Sequence, residues 1–365
     1  MPKSTKQTHN QKTLQITPRV KDEISVVFAC DKKYAPYLAV CLFSLREHLN
    51  KNREYTVYIL NSDGIAARIQ REFEGLETDY FKICIVDITS LLANYPDNLF
   101  YEQAHFSAAM YYRLFIPYLF SSFKKVIYCD CDGIFLADVA ELYDVELGNN
   151  YVAAVPDTGR RTQIYKSNHY FKEELKLKDP YQYFNSGVLV FNIQEQNKEH
   201  FISKCLSVLQ QFNNLSHPDQ DVLNVVCEGK VRYLRTNWNV ENLVWSWRNL
   251  KRCLPDWAYE EFMEGTRSIK FLHYTGSIKP WEDPDFLHSE IWWHYARQTG
   301  LYESLLRQHI WEIPKRAFFL PLDYVRYIGC RLLRHVTWGR RRQVFLNKEL
   351  YYRERVKSVQ RWLRS

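Results

Sequence analysis

"KKVIYCDCDGIFLADVAELYD", residues Lys124 to Asp144, sets two carboxylates, Asp130 and Asp132, one residue apart behind the apolar run Val126-Ile127-Tyr128. A short apolar run with no polar alternation reads as a strand covered on both faces. Acids that follow such a strand stand near its carboxyl end, the rim where open α/β sheets place their ligands. The chain repeats the arrangement: ISVVFA (Ile24–Ala29) leads to Asp31, and YVAAV (Tyr151–Val155) leads to Asp157. YTVYIL (Tyr55–Leu60) and FKICIVDI (Phe81–Ile88) supply two further strands. YAPYLAVCLFSLREHL follows the first strand with Leu38, Val40, Cys41, Leu42 and Leu45 near helical spacing, and AAMYYRLFIPYLF reads as a helix ahead of the Asp130 strand. Strand and helix alternate, which predicts an α/β doubly wound sheet. Asp31, Asp130, Asp132 and Asp157 then share one rim. Acids in such places also serve as N-caps and turn formers, the role expected of Asp138.

Further along, FNSGVLVFNI is extended, and its start at Asn185-Ser186-Gly187 suggests close approach of backbone to a neighbour or ligand. Residues 195–228 read as helix interrupted by NNLSHPDQDVLN, and SIKFLHYTGSIKPW (Ser268–Trp281) as a strand running into a loop. TNWNVENLVWSW (Thr236–Trp247) suits either stacking on sugar faces or buried structural tryptophan. Beyond about Phe286 the alternation is lost and the chain becomes basic and aromatic. The expected organisation is a flexible arm over 1–23, a catalytic domain over 24–285 and a membrane-associating region over 286–365.

The polar first residues lack the apolar segment of a signal peptide, and no run approaches the roughly 20 apolar residues that cross a bilayer. The nine cysteines are scattered, and Cys129 and Cys131 fit no common zinc or disulfide spacing. They read as reduced thiols of a cytoplasmic protein. Residues 301–365 carry 15 Lys and Arg against 5 Asp and Glu, so of a net charge of +7 the preceding 300 residues contribute −3. A slightly acidic body with a strongly basic tail suggests an anionic surface as partner of the tail.

Two chemistries fit the acid pair. YCDCDGIFL resembles the opening motif of haloacid dehalogenase-like phosphatases, where one carboxylate attacks phosphorus and the other handles a proton. That motif belongs on the first strand of its domain, and here three strands precede it. The other chemistry is metal-assisted sugar transfer, in which the two carboxylates hold a divalent cation that grips a nucleotide-sugar diphosphate. Such a site also wants a cation for the phosphates and a third metal ligand. HYTGSIKPW offers His273 and Lys279, with Gly276 to let backbone approach phosphate.

Taken in order, VVFACDKKYAPYLAVCLFSL, YYRLFIP, VIYCDCD, YFNSGVLVFNI, DQDVLN and HYTGSIKPW resemble glycosyltransferase family 8, especially its bacterial lipopolysaccharide and lipooligosaccharide galactosyl- and glucosyltransferases. The resemblance covers roughly residues 24–285. It implies a single Rossmann-like nucleotide-sugar domain of the GT-A type, a Mn²⁺ ion (Mg²⁺ as a weaker substitute), and retention of anomeric configuration. By the same resemblance Ala29, Asp31 and Tyr34 hold the uracil and ribose of a UDP-hexose, and Arg113 lies against the donor. Asp130, Asp132 and His273 bind the metal. Asp157, Asn185, Ser186 and Gly187 line the sugar site, Asp219 and Gln220 sit beside the transferred hexose, and Gly276 and Lys279 meet the diphosphate. Lys33 and Ala109-Met110 depart from the family's commoner small polar and hydroxyl residues.

A catalytically silent nucleotide-sugar binder is the rival of another class, and its signature would be loss of a metal ligand or of Lys279. None is lost. Gln220 is a poor nucleophile, which favours attack on the face that the diphosphate leaves, with Asp157 and Asp219 as stabilisers of charge on the sugar. The acceptor is expected to be a lipid-linked saccharide of the lipopolysaccharide core. The tail, with Phe318, Phe319, Tyr324, Tyr327, Trp338 and the run Arg340-Arg341-Arg342, is expected to dock the enzyme on the cytoplasmic face of the inner membrane. Nucleic acid is not an expected partner.

Overall fold

The computed structural model describes residues 14–96, 108–212, 215–243, 250–276, 278–308 and 325–333. Ten strands are described: β1 (Ile24–Ala29), β2 (Tyr55–Asn61), β3 (Phe81–Asp87), β4 (Lys125–Cys129), β5 (Gly133–Phe135), β6 (Val152–Pro156), β7 (Phe184–Asn192), β8 (Val231–Tyr233), β9 (Val240–Glu241) and β10 (Phe271–His273). Seven form the main sheet in the order β3-β2-β1-β4-β7-β6-β8, and β5-β10-β9 form a small second sheet. Pairing in the main sheet is parallel except where β7 runs antiparallel to both β4 and β6. The strand–helix alternation of the sequence is therefore realised as a doubly wound α/β sheet. The reversed β7 and the small sheet carry no signal in that alternation.

The continuous apolar strands follow from cover on both faces. Along β1, Val26 and Phe28 enter one hydrophobic cluster and Val27 the other; along β4, Ile127 and Cys129 face Val126 and Tyr128 in the same manner. On the first face lie α1 (Ala35–Glu47) and α2 (Ala67–Leu76). α1 is buried almost all round, which explains why its apolar residues exceed a single stripe. Three short helices add to the two faces: α3 (Thr89–Leu92) and α4 (Ile116–Leu119) contribute to the second cluster and α5 (Ala140–Tyr143) to the first. α6 (Thr158–Lys166), α7 (Ile193–Lys198), α8 (Phe201–Gln211) and α9 (Pro218–Val226) follow, then α10 (Asp256–Gly265) and α11 (Ser289–Ala296).

Four local expectations change. AAMYYRLFIPYLF is not one α-helix: Ala108–Phe115 winds as a 3₁₀ segment and α4 restarts at Ile116. Pro117 lacks the amide that a continuing helix needs but suits a helix's first turn. The supposed interruption at 213–224 contains most of α9, again opened by a proline in its first turn, Pro218. Within the segment read as a flexible arm, residues from Gln15 are seated: the Ile16 amide donates to the Leu119 carbonyl at 2.8 Å and its side chain is buried. The packed body also runs past residue 285, because Trp292, Trp293, Ala296, Leu301 and Leu305 enter the same cluster as α1. Tyr37 stacks on Trp281 at 3.9 Å between centroids, and Trp281 lies 5.3 Å from Trp292. Aromatic area, rather than alternation, joins this last segment to the domain.

Candidate active site

Because β7 runs opposite to β4 and β6, its first residues meet their carboxyl ends, so Asn185, Ser186 and Gly187 arrive where Asp130 and Asp157 emerge. Strand parity then decides direction. Asp130 is in step with Tyr128 and turns toward the face carrying the 3₁₀ segment and Arg113. Arg113 Nη2 donates to Asp130 Oδ1 at 2.7 Å, Nη1 donates to the Ser186 carbonyl at 2.7 Å and to its Oγ at 2.9 Å, and Nε lies 3.2 Å from Asp219 Oδ2. The Tyr128 hydroxyl also donates to Asp130 Oδ1, at 2.8 Å. Burial works against the Arg113 charge, but Asp130 and Asp219 beside it hold its pKa above the ordinary value. Burial pushes the Asp219 carboxyl up, against the pull of Arg113.

Asp132 faces the small sheet. In the antiparallel pair β5–β10, His273 is the register partner of Gly133, and the Tyr274 amide donates to the Asp132 carbonyl at 2.9 Å. This register sets His273 Nε2 3.2 Å from Asp132 Oδ1 and 3.7 Å from Asp130 Oδ2. Lys279 Nζ donates to Asp132 Oδ2 at 2.5 Å and to the Tyr274 carbonyl at 2.6 Å. Burial alone would raise the Asp132 pKa, yet Lys279 and His273 hold the carboxyl well below the usual range. Lys279 is held above its ordinary value by Asp132 despite its own burial.

Among the described residues, Asp130, Asp132 and His273 each offer a ligand atom, all within 4.8 Å of one another. Two carboxylates and an imidazole suit a divalent ion of the Mn²⁺ type. The space fits too. A Cβ at Gly187 would overlap the His273 ring and stand 2.7 Å from Asp130 Oδ2, so the cluster is built over a position without a side chain.

Beside this cluster Asp157, Asn185, Ser186, Asp219 and Gln220 form one buried polar network. Asp157 Oδ2 accepts from Asn185 Nδ2 at 3.1 Å and from Gln220 Nε2 at 2.9 Å, while Oδ1 accepts from the Arg160 amide and caps α6. Gln220 Oε1 accepts from the Ser186 amide at 2.9 Å, and Ser186 Oγ donates to Asp219 Oδ2 at 3.1 Å. On the other side of the acid pair, Asp31 Oδ1 accepts from the Tyr34 amide at 2.8 Å at the start of α1. The Ala29 carbonyl accepts from Cys131 Sγ at 3.1 Å. Burial pushes the Tyr34 phenol up to about 12, against the nearby Lys279 charge. Gly276 adopts φ +84° with open space where a side chain would stand, a backbone state suited to glycine.

Two residues that sequence reading did not single out join the site. Asn239 touches both His273 and Asn185, and Glu241 accepts from the Thr158 amide at 2.6 Å at the start of α6. The available signal was a pair of polar residues within the aromatic stretch 236–247. In that stretch Thr236, Asn237, Trp238 and Asn239 are buried, so Trp238 belongs to the core; residues 244–249 lie outside the described residues.

Residues 25–285 match the model of Glycosyl transferase family 8. General stress protein A of Bacillus subtilis is 26% identical over 286 residues, which cover 76% of this chain and 95% of that protein. Lipopolysaccharide 1,2-glucosyltransferase of Escherichia coli K12 is 27% identical over 268 residues, 71% of this chain and 72% of that protein. Among solved structures, the galactosyltransferase LgtC in complex with donor and acceptor sugar analogues superimposes with a TM-score of 0.62 at 24% identity, over 76% of this chain and 96% of that chain. The last likeness bears on the fold, which is the GT-A type. The match over 25–285 displaces the phosphatase alternative, whose resemblance was confined to YCDCDGIFL.

Proposed function

The chain belongs to glycosyl transferase family 8, and from that membership we propose a retaining transfer of a hexose, galactose or glucose, from UDP-sugar to a saccharide acceptor. The observation that carries this reading is the convergence of Asp130, Asp132 and His273 over Gly187, with Lys279 and Arg113 against the two carboxylates. Asp130, Asp132 and His273 would hold Mn²⁺, or Mg²⁺ less well, and the bound ion would offset charge growing on the departing diphosphate. Lys279 and the Gly276 backbone would receive the diphosphate, and Ala29, Asp31 and Tyr34 the uridine. Lys279 Nζ spends two of its three hydrogens on Asp132 and the Tyr274 carbonyl, which leaves the third for a phosphate oxygen.

Two routes lead to retention, and the site's hydrogen bonds favour one of them. Asp157, Asp219 and Gln220 are each tied by hydrogen bonds or by Arg113, and none presents an unencumbered nucleophile. This supports attack on the face that the diphosphate leaves, with Asp157 and Asp219 stabilising positive charge on the sugar. A kinetically competent sugar adduct trapped on Asp157 or Asp219 would end that preference.

The acceptor is proposed to be a lipid-linked core saccharide, by likeness to the lipopolysaccharide glucosyltransferase. No helix among the described residues is long and apolar enough to cross a membrane. The helix over 325–333 exposes Val325, Ile328, Leu332 and Leu333 alongside Arg326 and Arg331, a composition that supports peripheral contact with an anionic cytoplasmic leaflet. Phe318, Phe319, Tyr324, Trp338 and Arg340 to Arg342 lie outside the described residues.

Turnover of UDP-galactose and UDP-glucose with and without Mn²⁺, in wild type and Asp132→Asn, tests the central reading. The Asp132→Asn variant is expected to keep the fold and lose turnover, and wild type is expected to lose turnover on chelation. Full activity in either condition would overturn the metal assignment. Binding of uridine diphosphate without any donor turnover would favour the silent binder.

A further inference from the structure

One orientation in the site can be deduced without seeing a hydrogen atom. The Gly187 amide is a donor only, and it lies 2.8 Å from the amide side chain of Asn185; the atom facing it must be Oδ1. Asn185 Nδ2 then faces Asp157 Oδ2 at 3.1 Å, a donor against a carboxylate. Asn185 Oδ1 also receives a contact of 2.8 Å from Asn239, so the Asn239 atom there must be Nδ2. Asn239 Oδ1 is thereby turned to His273 Nδ1, 2.9 Å away. An oxygen acceptor requires a hydrogen on Nδ1. Every orientation follows from one backbone N–H.

We propose that Asn239 is a positioning residue that keeps Nδ1 of His273 protonated and so leaves Nε2 as the metal-facing atom. Nε2 is the ring nitrogen that lies toward Asp132 and Asp130. Asn239, Asn185, Asp157 and His273 are all buried, so water does not offer the ring an easy substitute partner. The placement of Asn239 is set by the small sheet: it immediately precedes β9, whose Val240 and Glu241 pair in register with Leu272 and His273. A partner of this kind fixes a ligating imidazole's ring orientation and tautomer, and its loss commonly weakens metal binding about 10- to 100-fold. The chain of amides also ties the metal-facing imidazole to Asp157, the carboxylate of the proposed sugar site. The inference rests on the metal-dependent reading above, but its first test does not need a metal.

Long-range proton–nitrogen correlation spectra of the full chain, labelled at histidine, report which ring nitrogen of His273 carries hydrogen. The hydrogen of the neutral ring is expected on Nδ1, and an Nε2–H neutral tautomer would overturn the proposal. Mn²⁺ affinity, read from the paramagnetic resonance signal of free ion, provides the second arm. Asn239→Leu keeps the volume and removes the acceptor, and should weaken Mn²⁺ binding about 10- to 100-fold. Asn239→Asp keeps an acceptor for Nδ1 but sets an oxygen against Asn185 Oδ1, so its His273 ring should keep hydrogen on Nδ1 even where its affinity for Mn²⁺ falls. Wild-type affinity in Asn239→Leu, or an Nε2–H tautomer in Asn239→Asp, would reduce Asn239 to a packing role and overturn the proposal. If Asn239→Leu does not fold, the wild-type spectrum still decides. Failure of wild type itself to bind Mn²⁺ would count against the proposed metal-dependent transfer, while the Nδ1 result stands separately.

Discussion

At the scale of single residues, the absence of a side chain at Gly187 matters as much as the presence of the acids around it. An alanine there would overlap His273 and press on Asp130 Oδ2. Overpacking of this kind typically costs about 1–3 kcal/mol. Taken out of metal affinity it corresponds to roughly a 5- to 150-fold loss. Gly187→Ala is therefore expected to fold, since the atoms it meets belong to side chains rather than backbone, and to bind Mn²⁺ about 5-fold or more weakly by titration. Unchanged affinity would show that the cluster shifts freely and that Gly187 does not shape it. The sequence signalled this glycine through its place at the start of an extended run. It did not signal Asn239, because an asparagine among tryptophans reads equally well as surface or core until its partners are known.

Among elements, α9 is the one on which acid sensitivity bears most directly. Its first turn presents Asp219 and Gln220, and the turn before it is held by Asp221, whose Oδ2 accepts from the His217 amide at 2.9 Å and from the Tyr170 hydroxyl at 2.6 Å. His217 Nδ1 meets Ser216 Oγ, which also accepts from Arg160 at 2.7 Å. Burial, with Arg160 adding to it, holds the His217 pKa well below its ordinary value. A depressed histidine pKa means that the unfolded chain takes up the proton first as pH falls. The stability that neutral His217 contributes is whole above about pH 6.5 and is lost as pH drops through the window below it. The melting temperature of wild type is expected to fall more steeply than that of His217→Gln between about pH 7 and about pH 5. Parallel profiles would remove His217 from the account of acid sensitivity.

For the whole molecule, the boundary between body and tail decides how membrane association can be tested. Leu301 and Leu305 are buried in the core cluster with α1, so a truncation beginning at 301 would damage the body. Deleting residues 309–365 leaves that packing in place. The shortened chain is expected to retain nucleotide and metal binding and to lose sedimentation with vesicles containing anionic lipid. Binding of the full chain should weaken as salt rises, since exposed charges are screened over about 10 Å at 0.1 M ionic strength. Equal vesicle binding by both chains at low salt would rule out a docking role for the tail.

The sequence by itself determined the doubly wound sheet, because strands covered on both faces must be continuously apolar and helices between them must be amphipathic or buried. It also marked Asp130, Asp132, His273 and Lys279 as candidates, since ordered motifs survive as short local patterns. Only the tertiary structure decided that β7 runs backwards and brings Asn185 to Gly187 to the same rim. Only the register of β5, β9 and β10 decided that His273 meets Asp132 and that Asn239 stands behind it. Strand direction and register depend on partners far apart in sequence, as Cys129 and Val188 or Gly133 and His273 are. Local periodicity carries no record of such pairing.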